Sequence, residues 1–431
     1  MTLTLTAVSG YREVGRNMTG VSLGNDTIAL DNGIRLDTLQ IYDESIKDIL
    51  KLSKEELVNY DIIPQASRLK NVRAQVISHG HLDHIGALGF NKPKVPIYTT
   101  HYASEIGRKE YANGDFVSLD YGERRKISQN FSVEFIEVTH SIPQASIVVL
   151  HSKRGKIVYA CDFRFDDNST LAKVDYKRLK KLGGEDVLAL IVESTRVDKE
   201  GKTLSESLVR ENLRDTLKFI EDGLITASTF ASHIERIQAI LDEVEKTGRK
   251  TLILGRSLLE HTELADRFGL LDLPLDAKIV ESEKAANNEF KKMKNREKYF
   301  LLVTGHQGEP KSALSKLVDG RYNFKFRKDD SVLLCADTIP TPMNEANRYV
   351  LETKLKSKGV RIFKDIHVSG HAAKEDHRKL IRMVKPKNII PCHGTLAMRS
   401  KYAELAAEEG YQLGENVHLL NNGQKIRLNF L

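Results

Sequence analysis

The chain opens on short stretches in which apolar and polar residues alternate, the period of a strand with one buried face. Residues 2–9 (TLTLTAVS), 17–23 and 26–31 read this way, with Gly24-Asn25 and Asn32-Gly33 as turn pairs. Further strands are predicted at 74–78, 97–100, 132–138, 146–150, 156–160 and 188–192, and a helix at 46–57 (IKDILKLSKEEL). Most of these strands end in a polar or charged residue.

The period changes after about residue 196. Segments 203–222 and 232–247 carry apolar residues at three-and-four spacing and predict helices, with a short strand at 224–227 between them. Apolar strands at 251–255, 299–304 and 331–335 follow, with helices between. Strands that alternate with helices predict a parallel α/β unit. The charged run 281–298 (ESEKAANNEFKKMKNREK) reads as a solvated helix face. The chain then returns to single elements: strands at 361–365 and 388–391, helices at 374–384 and 396–408. The pattern predicts one domain, 1–196 and 353–431, interrupted by another at 197–352.

Composition narrows the class. With 431 residues, 40% hydrophobic and 29% charged, the chain can build about two ordinary folded cores. The 66 basic and 59 acidic residues leave a net charge of +7, which suits an anionic partner such as nucleic acid. Three widely spaced cysteines, Cys161, Cys335 and Cys392, exclude a disulfide scaffold and a cysteine-based zinc knuckle, and a reducing cytoplasm is expected. The N-terminus lacks a basic start followed by an apolar run, and no stretch approaches the roughly 18–20 apolar residues of a membrane span. Fourteen histidines and no tryptophan turn attention to metal chemistry.

The densest signal is His79-Gly80-His81-Leu82-Asp83-His84, between a predicted strand and a probable helix. In extended chain His79 and His81 point to one side and can share an ion. Asp83 and His84 turn toward a second centre as the helix begins. Nitrogen with carboxylate suits Zn²⁺ or a similar borderline ion. His140, Asp162 and His393 each follow an apolar strand and complete a two-metal set. Asp162 is the natural bridge, because a carboxylate reaches two ions where an imidazole nitrogen cannot.

These motifs resemble the metallo-β-lactamase superfamily. TIALDNG around Asp31, HGHLDH, VTHS around His140 and CDFRFD around Asp162 are similar to its first four motifs. Glu193 in VESTR, His371 in HVSGHA and His393 in PCHGT resemble motifs A, B and C of the β-CASP subfamily of nucleic-acid-processing enzymes. TFAS (229–232), GRS (255–257) and GHQGEP (305–310) resemble ribonuclease J in particular. The resemblance implies an αββα metallo-β-lactamase sandwich with an inserted β-CASP α/β domain. Three positions depart from the pattern: Glu193 where Asp is usual, His306 where Ser is more frequent, and Cys392 where an aliphatic residue is common. The chain ends soon after His393, as in the shorter archaeal members, so an assembly built on the bacterial C-terminal domain is not expected.

The resemblance implies one ion on His79, His81 and His140, a second on Asp83, His84 and His393, and Asp162 between them. Two Zn²⁺ per chain are expected, with Mn²⁺ or Mg²⁺ able to replace one. Metals about 3.5–4 Å apart lower the pKa of a bridging water toward about 7, so a bridging hydroxide is the expected nucleophile. Asp83 and Asp162 are therefore catalytic as well as ligating. Asp31 is expected to orient a ligand imidazole from behind, or else to be a turn residue before Asn-Gly. His371 is the candidate for phosphate stabilisation or for proton delivery to the leaving 3′ oxygen, with Glu193 holding it.

Ser369 and Gly370 beside His371 could cradle a phosphate. Ser232 is either a second phosphate site at a helix start or a plain N-cap. Phe230 could stack a base and His367 could touch substrate. The function implied is 5′→3′ hydrolysis of single-stranded RNA to nucleoside 5′-monophosphates, with 5′-monophosphate ends preferred and some endonuclease activity possible. The rivals are an RNA endonuclease of the cleavage and polyadenylation factor type, a small-molecule hydrolase of the same fold, and a silent RNA-binding relative. A homodimer without membrane attachment is expected.

Overall fold

The alternation at the N-terminus becomes an antiparallel ladder. The computed structural model describes residues 2–37, 52–339 and 341–428. Leu3–Ser9 pairs with Met18–Leu23, and that strand with Asp26–Leu30, all antiparallel. Val72–Val76, Ile97–Thr99 and Phe116–Ser118 then add in parallel. The seventh strand is Lys425–Leu428, which pairs antiparallel with Leu3–Ser9 and closes the other edge. A second sheet of six strands runs in the order Ile389–Cys392, Val187–Glu193, Gly155–Ala160, Ser146–Ser152, Ser132–Glu137, Arg124–Lys126.

The period of two assigns the faces. Val133 and Phe135, Val148 and Leu150, and Ile157 and Tyr159 pack with Leu3, Leu5, Val21, Ile28 and Val76 of the first sheet, giving a core between the sheets. Their neighbours Ile136, Ile147, Val149 and Val158 face a second core. The helices Tyr176–Leu182, Lys374–Val384 and Leu396–Glu408 close it through Leu179, Leu380, Tyr402 and Leu405. The result is the αββα sandwich that the resemblance implied. Of the helix predicted at 46–57, residues 46–51 lie outside the described residues. The rest begins Lys54–Asn59, started by a capping box between Ser53 and Glu56.

The inserted unit is a six-stranded parallel sheet in the order Lys278–Val280, Lys250–Leu254, Tyr299–Val303, Ile225–Ser228, Ser331–Leu334, Arg361–Phe363. Both faces are buried, as parallel sheets require. Ile225, Ala227, Phe300 and Leu302 pack against helices Glu206–Lys218, Ile234–Glu245 and Arg256–Arg267. Leu301, Val303, Val332 and Leu334 pack against Glu283–Lys292, Ala313–Val318 and Pro342–Ser357.

The chain divides into Met1–Asp167, Ala172–Thr203 and Gly370–Leu431 as one unit, and Asn168–Leu171 with Leu204–Ser369 as the other. Both joins lie later than the 196/197 and 352/353 read from the pattern. Arg361–Phe363 belongs to the insert because it pairs in parallel with Ser331–Leu334. Residues 197–203 stay with the first unit through bonds to helix Lys374–Val384: Lys374 N–H donates to Lys199 O, and Thr203 N–H to Asp376 Oδ2 at 2.9 Å.

Candidate metal centre

The residues singled out by motif converge at strand ends of the first unit. Val72–Val76 runs out into extended chain through Ser78 and His79, and His81 then caps the single helical turn Leu82–Ile85. Asp162 leaves the end of Gly155–Ala160, and His393 follows Ile389–Cys392. Ligand atoms of His79, His81, His140 and Asp162 lie within 4.8 Å of one another, and those of His84, Asp162, His393 and Cys161 form a second such group. Asp162 belongs to both groups, as a bridging carboxylate must. Its Oδ2 stands 3.6, 3.3 and 3.4 Å from the Nε2 atoms of His79, His84 and His140, and its Oδ1 3.6 Å from His393 Nε2. Asp83 Oδ2 approaches His84 and His393 Nε2 at 3.6 Å each.

The hydrogen bonds behind the rings set the tautomers. His84 Nδ1 donates to Asp31 Oδ2 at 2.6 Å, the role expected of Asp31. Asp31 is fixed in turn by Ser78 N–H, Ser78 Oγ–H and Tyr159 O–H at 2.8, 2.9 and 2.8 Å. Ser78 Oγ, donating to Asp31, is left to accept from His79 Nδ1 at 3.0 Å. His140 Nδ1 donates to Gly370 O at 2.7 Å; His393 Nδ1 accepts from Gly15 N–H at 3.3 Å and lies against the Asn17 amide, 2.7 Å from Nδ2 and 3.0 Å from Oδ1. The Nε2 atoms of His79, His84 and His140 are thereby turned toward the cluster.

There the rings face one another. His81 Nδ1 is 3.2 Å from His79 Nε2 and 3.0 Å from His140 Nε2. Among the described residues the ion pairs of Asp31, Asp83, Asp162 and Glu193 are all with histidines. Asp162 Oδ1 is buried and makes no hydrogen bond. Imidazole rings and a carboxylate turned toward each other with no Lys or Arg among them are a donor set that fits metal ions.

Protonation differs across the cluster: burial disfavours charge on His84, but Asp162, Asp83 and Asp31 raise it well above the ordinary histidine value. Burial and the neighbouring rings hold His79 and His81 well below the ordinary histidine value. Burial would protonate Asp162, but His84, His393 and His371 hold its carboxyl well below the usual range. Cys161 comes close to the second group, yet burial and a hydrogen bond with Cys392 push its thiol well up. A neutral thiol packed in the intersheet core is no rival to Asp83 as a ligand.

His371 lies against this cluster, its Nδ1 2.7 Å from Glu193 Oε2 and 3.9 Å from Asp162 Oδ2. Glu193 is fully buried and accepts from Phe163 N–H at 3.1 Å and from the Thr195 hydroxyl. Burial alone would lower the His371 pKa; Glu193 and Asp162 overcome it and raise it to about 9.

Two glycines make the geometry possible. A Cβ on Gly33 would meet Asp83 O at 1.6 Å, so the turn after Asp31 can lie against the ligand loop. A Cβ on Gly370 would meet Ser141 Oγ at 2.7 Å and His140 Cε1 at 3.1 Å. Gly370 thus supports His140 through its carbonyl, a use distinct from the phosphate cradle expected of it.

Residues 222–352 match the family model described as "Ribonuclease J, beta-CASP domain", and residues 360–420 the one described as "Zn-dependent metallo-hydrolase RNA specificity domain". Ribonuclease J of Pyrococcus abyssi is 43% identical over 98% of this chain and 96% of its own length. The chain belongs to the ribonuclease J family of β-CASP metallo-β-lactamase proteins. Ribonuclease J of Methanocaldococcus jannaschii is equally similar, 43% identical with 98% of both chains covered. A solved structure described as a protein of unknown function from Enterococcus faecalis shares the fold, with a TM-score of 0.69 at 17% identity, covering 99% of this chain and 100% of that one.

The remaining ribonuclease J motif residues fall in the inserted unit, where the helix start read at Ser232 is corrected. Ser232 does not begin its helix: Ile234–Glu245 is capped by His233, whose ring accepts from Arg236 N–H, so Ser232 sits in the turn ahead. His367 is engaged inside its own unit, accepting from Arg236 Nη1 at 2.9 Å and facing Asp337 at 3.3 Å. Phe230 packs edge-on against His306, ring centroids 4.2 Å apart. His306 is buried there and its pKa is pulled down to about 3 by burial and by Arg348. Ser369 is nearly buried, at 8% exposure. Asn17, Ser78 and Tyr159, which hold ligand rings or Asp31, carried no motif signal.

Proposed function

We propose that this metal-dependent ribonuclease shortens single-stranded RNA from its 5′ end, releasing nucleoside 5′-monophosphates and preferring 5′-monophosphate ends. The observation that carries the reading is the His371–Glu193 pair set against a carboxylate shared by two ligand groups. His79, His81 and His140 would hold one ion and Asp83, His84 and His393 a second, with Asp162 between; zinc is the expected metal, replaceable in part by Mn²⁺ or Mg²⁺. Such ions act as Lewis acids on the scissile phosphate and acidify water.

The chain's own groups supply the rest. Asp31, Ser78 and Gly370 accept from or orient the Nδ1 side of His84, His79 and His140, and Asn17 and Gly15 hold the ring of His393. Glu193 accepts from His371 and, against the effect of burial, favours its protonated form. His371 then delivers a proton to the 3′ oxygen of the first nucleotide as the bond from that oxygen to the next phosphorus breaks. Water adds to that phosphorus, so the shortened RNA again begins with a 5′-monophosphate. A cytoplasmic homodimer is the expected form; among the described residues no helix is long and apolar enough to cross a membrane.

RNA labelled at either end, alongside a circular RNA of the same sequence, tests the direction. The reading expects labelled mononucleotide from the 5′ label at the earliest times, and slower decay of 5′-triphosphorylated RNA. Linearised circle as the first product, with equal rates on all 5′ ends, replaces it with the endonuclease reading.

A further inference from the structure

Outside the metal centre, the first unit carries a basic cavity of about 490 Å³. Its lining is Lys180, Lys202, Arg378, Lys379, Arg382 and Lys385, with Glu375 as the lone acid and Met383 in the wall. Three segments converge to make it: helix Tyr176–Leu182, the stretch of chain before Thr203, and helix Lys374–Val384 with its left-handed cap Lys385. None of these residues belongs to a motif, and neither the ligand set nor the His371–Glu193 pair uses them.

The charges divide into two classes. Arg378 is satisfied by Glu375, Glu408 and Glu409, and Arg382 by Glu409. Lys180, Lys202, Lys379 and Lys385 have no carboxylate partner among the described residues. Lys379 is the telling one. It is half-buried, with Nζ 3.8 Å from the centre of the Tyr176 ring and 5.2 Å from that of Phe165. Burial lowers its pKa; Asp167 and Asp376 oppose this, and Lys202 and Lys180 lower it further. The fold thus gathers ammonium groups that repel one another and stacks one on aromatic rings, with Asp167 and Asp376 offsetting them from beyond ion-pair distance.

We propose that this cavity binds the phosphodiester backbone of RNA at a place separate from the cleavage centre. The inference rests on the proposed ribonuclease reading for the identity of the polyanion. Shape favours a passing chain over a small enclosed anion: Lys180, Lys202, Arg382 and Lys385 are exposed rim residues, while Lys379 and Met383 form the interior. Rim lysines contact phosphates without reading bases, so the site adds affinity and salt dependence but no sequence preference.

The test uses full-length protein with metals removed, so that RNA is bound and not cut. Binding of a 30-nucleotide single-stranded RNA is measured across a salt series for the wild type, for the variant Lys180→Gln/Lys202→Gln/Lys385→Gln, and for the corresponding triple Lys→Arg variant. All three lysines are exposed, so the fold should survive, and circular dichroism checks it. Each phosphate that is no longer neutralised should reduce the log–log salt slope by about 0.7 for single strands. The glutamine variant is expected to lose about two units of slope and roughly tenfold or more in affinity at low salt. The arginine variant should keep both. Equal slopes and affinities for wild type and glutamine variant overturn the proposal. Inorganic tripolyphosphate is the second probe: if the glutamine variant loses tripolyphosphate binding but keeps its RNA affinity, the cavity serves a small polyanion and the RNA assignment is overturned. Failure of the ribonuclease reading looks different, because the wild type itself then binds no RNA.

Discussion

Each unit buries a cluster of histidines beside carboxylates, and the two clusters solve the electrostatics in opposite ways. In the inserted unit Arg236 is fully buried and supplies the cation itself. Its Nε donates to Glu206 Oε2 at 2.8 Å and its Nη2 to Glu206 Oε1; Nη1 serves Cys335 O and His367 Nδ1, and Nη2 also serves Val368 O. His233 Nε2 lies 3.1 Å from Glu206 Oε1. In the first unit the rings around Asp162 have acceptors behind them but face one another in front. A buried imidazole beside a carboxylate is thus no metal site by itself. The signature is a set of inward-facing rings and carboxylates with no Arg or Lys among them.

That contrast can be attacked from either side, and the largest effect is expected at the shared carboxylate. Asp162→Asn removes the anion common to both ligand groups, so elemental analysis should show loss of metal, with RNA hydrolysis falling below that of every other variant. His371→Ala should retain its metal but lose roughly 10²–10⁴ in turnover, the span of a lost general acid. Loss of metal in that variant would make His371 a ligand instead. On the other side, Arg236→Met leaves Glu206 buried without its charge partner, which should cost about 3–5 kcal/mol in urea unfolding. Its metal content per chain should not change.

Acidification separates the clusters by a smaller effect. Burial disfavours charge on His84, but Asp162, Asp83 and Asp31 raise it well above the ordinary histidine value, so protons compete for this ligand early as pH falls. Burial would likewise raise Glu206, yet Arg236 and His233 hold it well below its ordinary value of 4.5. A carboxyl lowered in the folded state stabilises above its unfolded value and loses that contribution only as pH drops toward the folded one. Metal release, followed with an indicator dye, should therefore precede the tyrosine fluorescence change of unfolding. Coincident transitions would mean that the ions hold up the fold.

The sequence made the metal side of this comparison legible because its signal is local. Three histidines and an aspartate in six residues stand out without any fold, and the acids that end apolar strands needed only the expectation of a common sheet edge. What stayed hidden depends on tertiary approach. Asn17 and Tyr159 reach His393 and Asp31 through strand order, and Gly370 acts through a carbonyl that no residue type advertises. The capping error at Ser232 has a local cause, since serine and histidine in adjacent positions can both accept from the first turn. The strand Lys425–Leu428 (KIRL) alternates polar and apolar residues, but over four positions only, and it is a strand because it pairs with the edge of Leu3–Ser9. The second join was misplaced for the same reason: a three-residue strand, Arg361–Phe363, is assigned by its neighbour and not by its own pattern.

The central claim is that the chain folds into a cluster of ligands lacking only its cations. Titrating zinc into chelator-treated protein while following both bound metal and hydrolysis of a single-stranded RNA tests it directly. The account predicts no hydrolysis without metal and activity that rises until two equivalents per chain are bound. Full activity in the metal-free protein, or saturation of binding and activity at one equivalent or fewer, would contradict it.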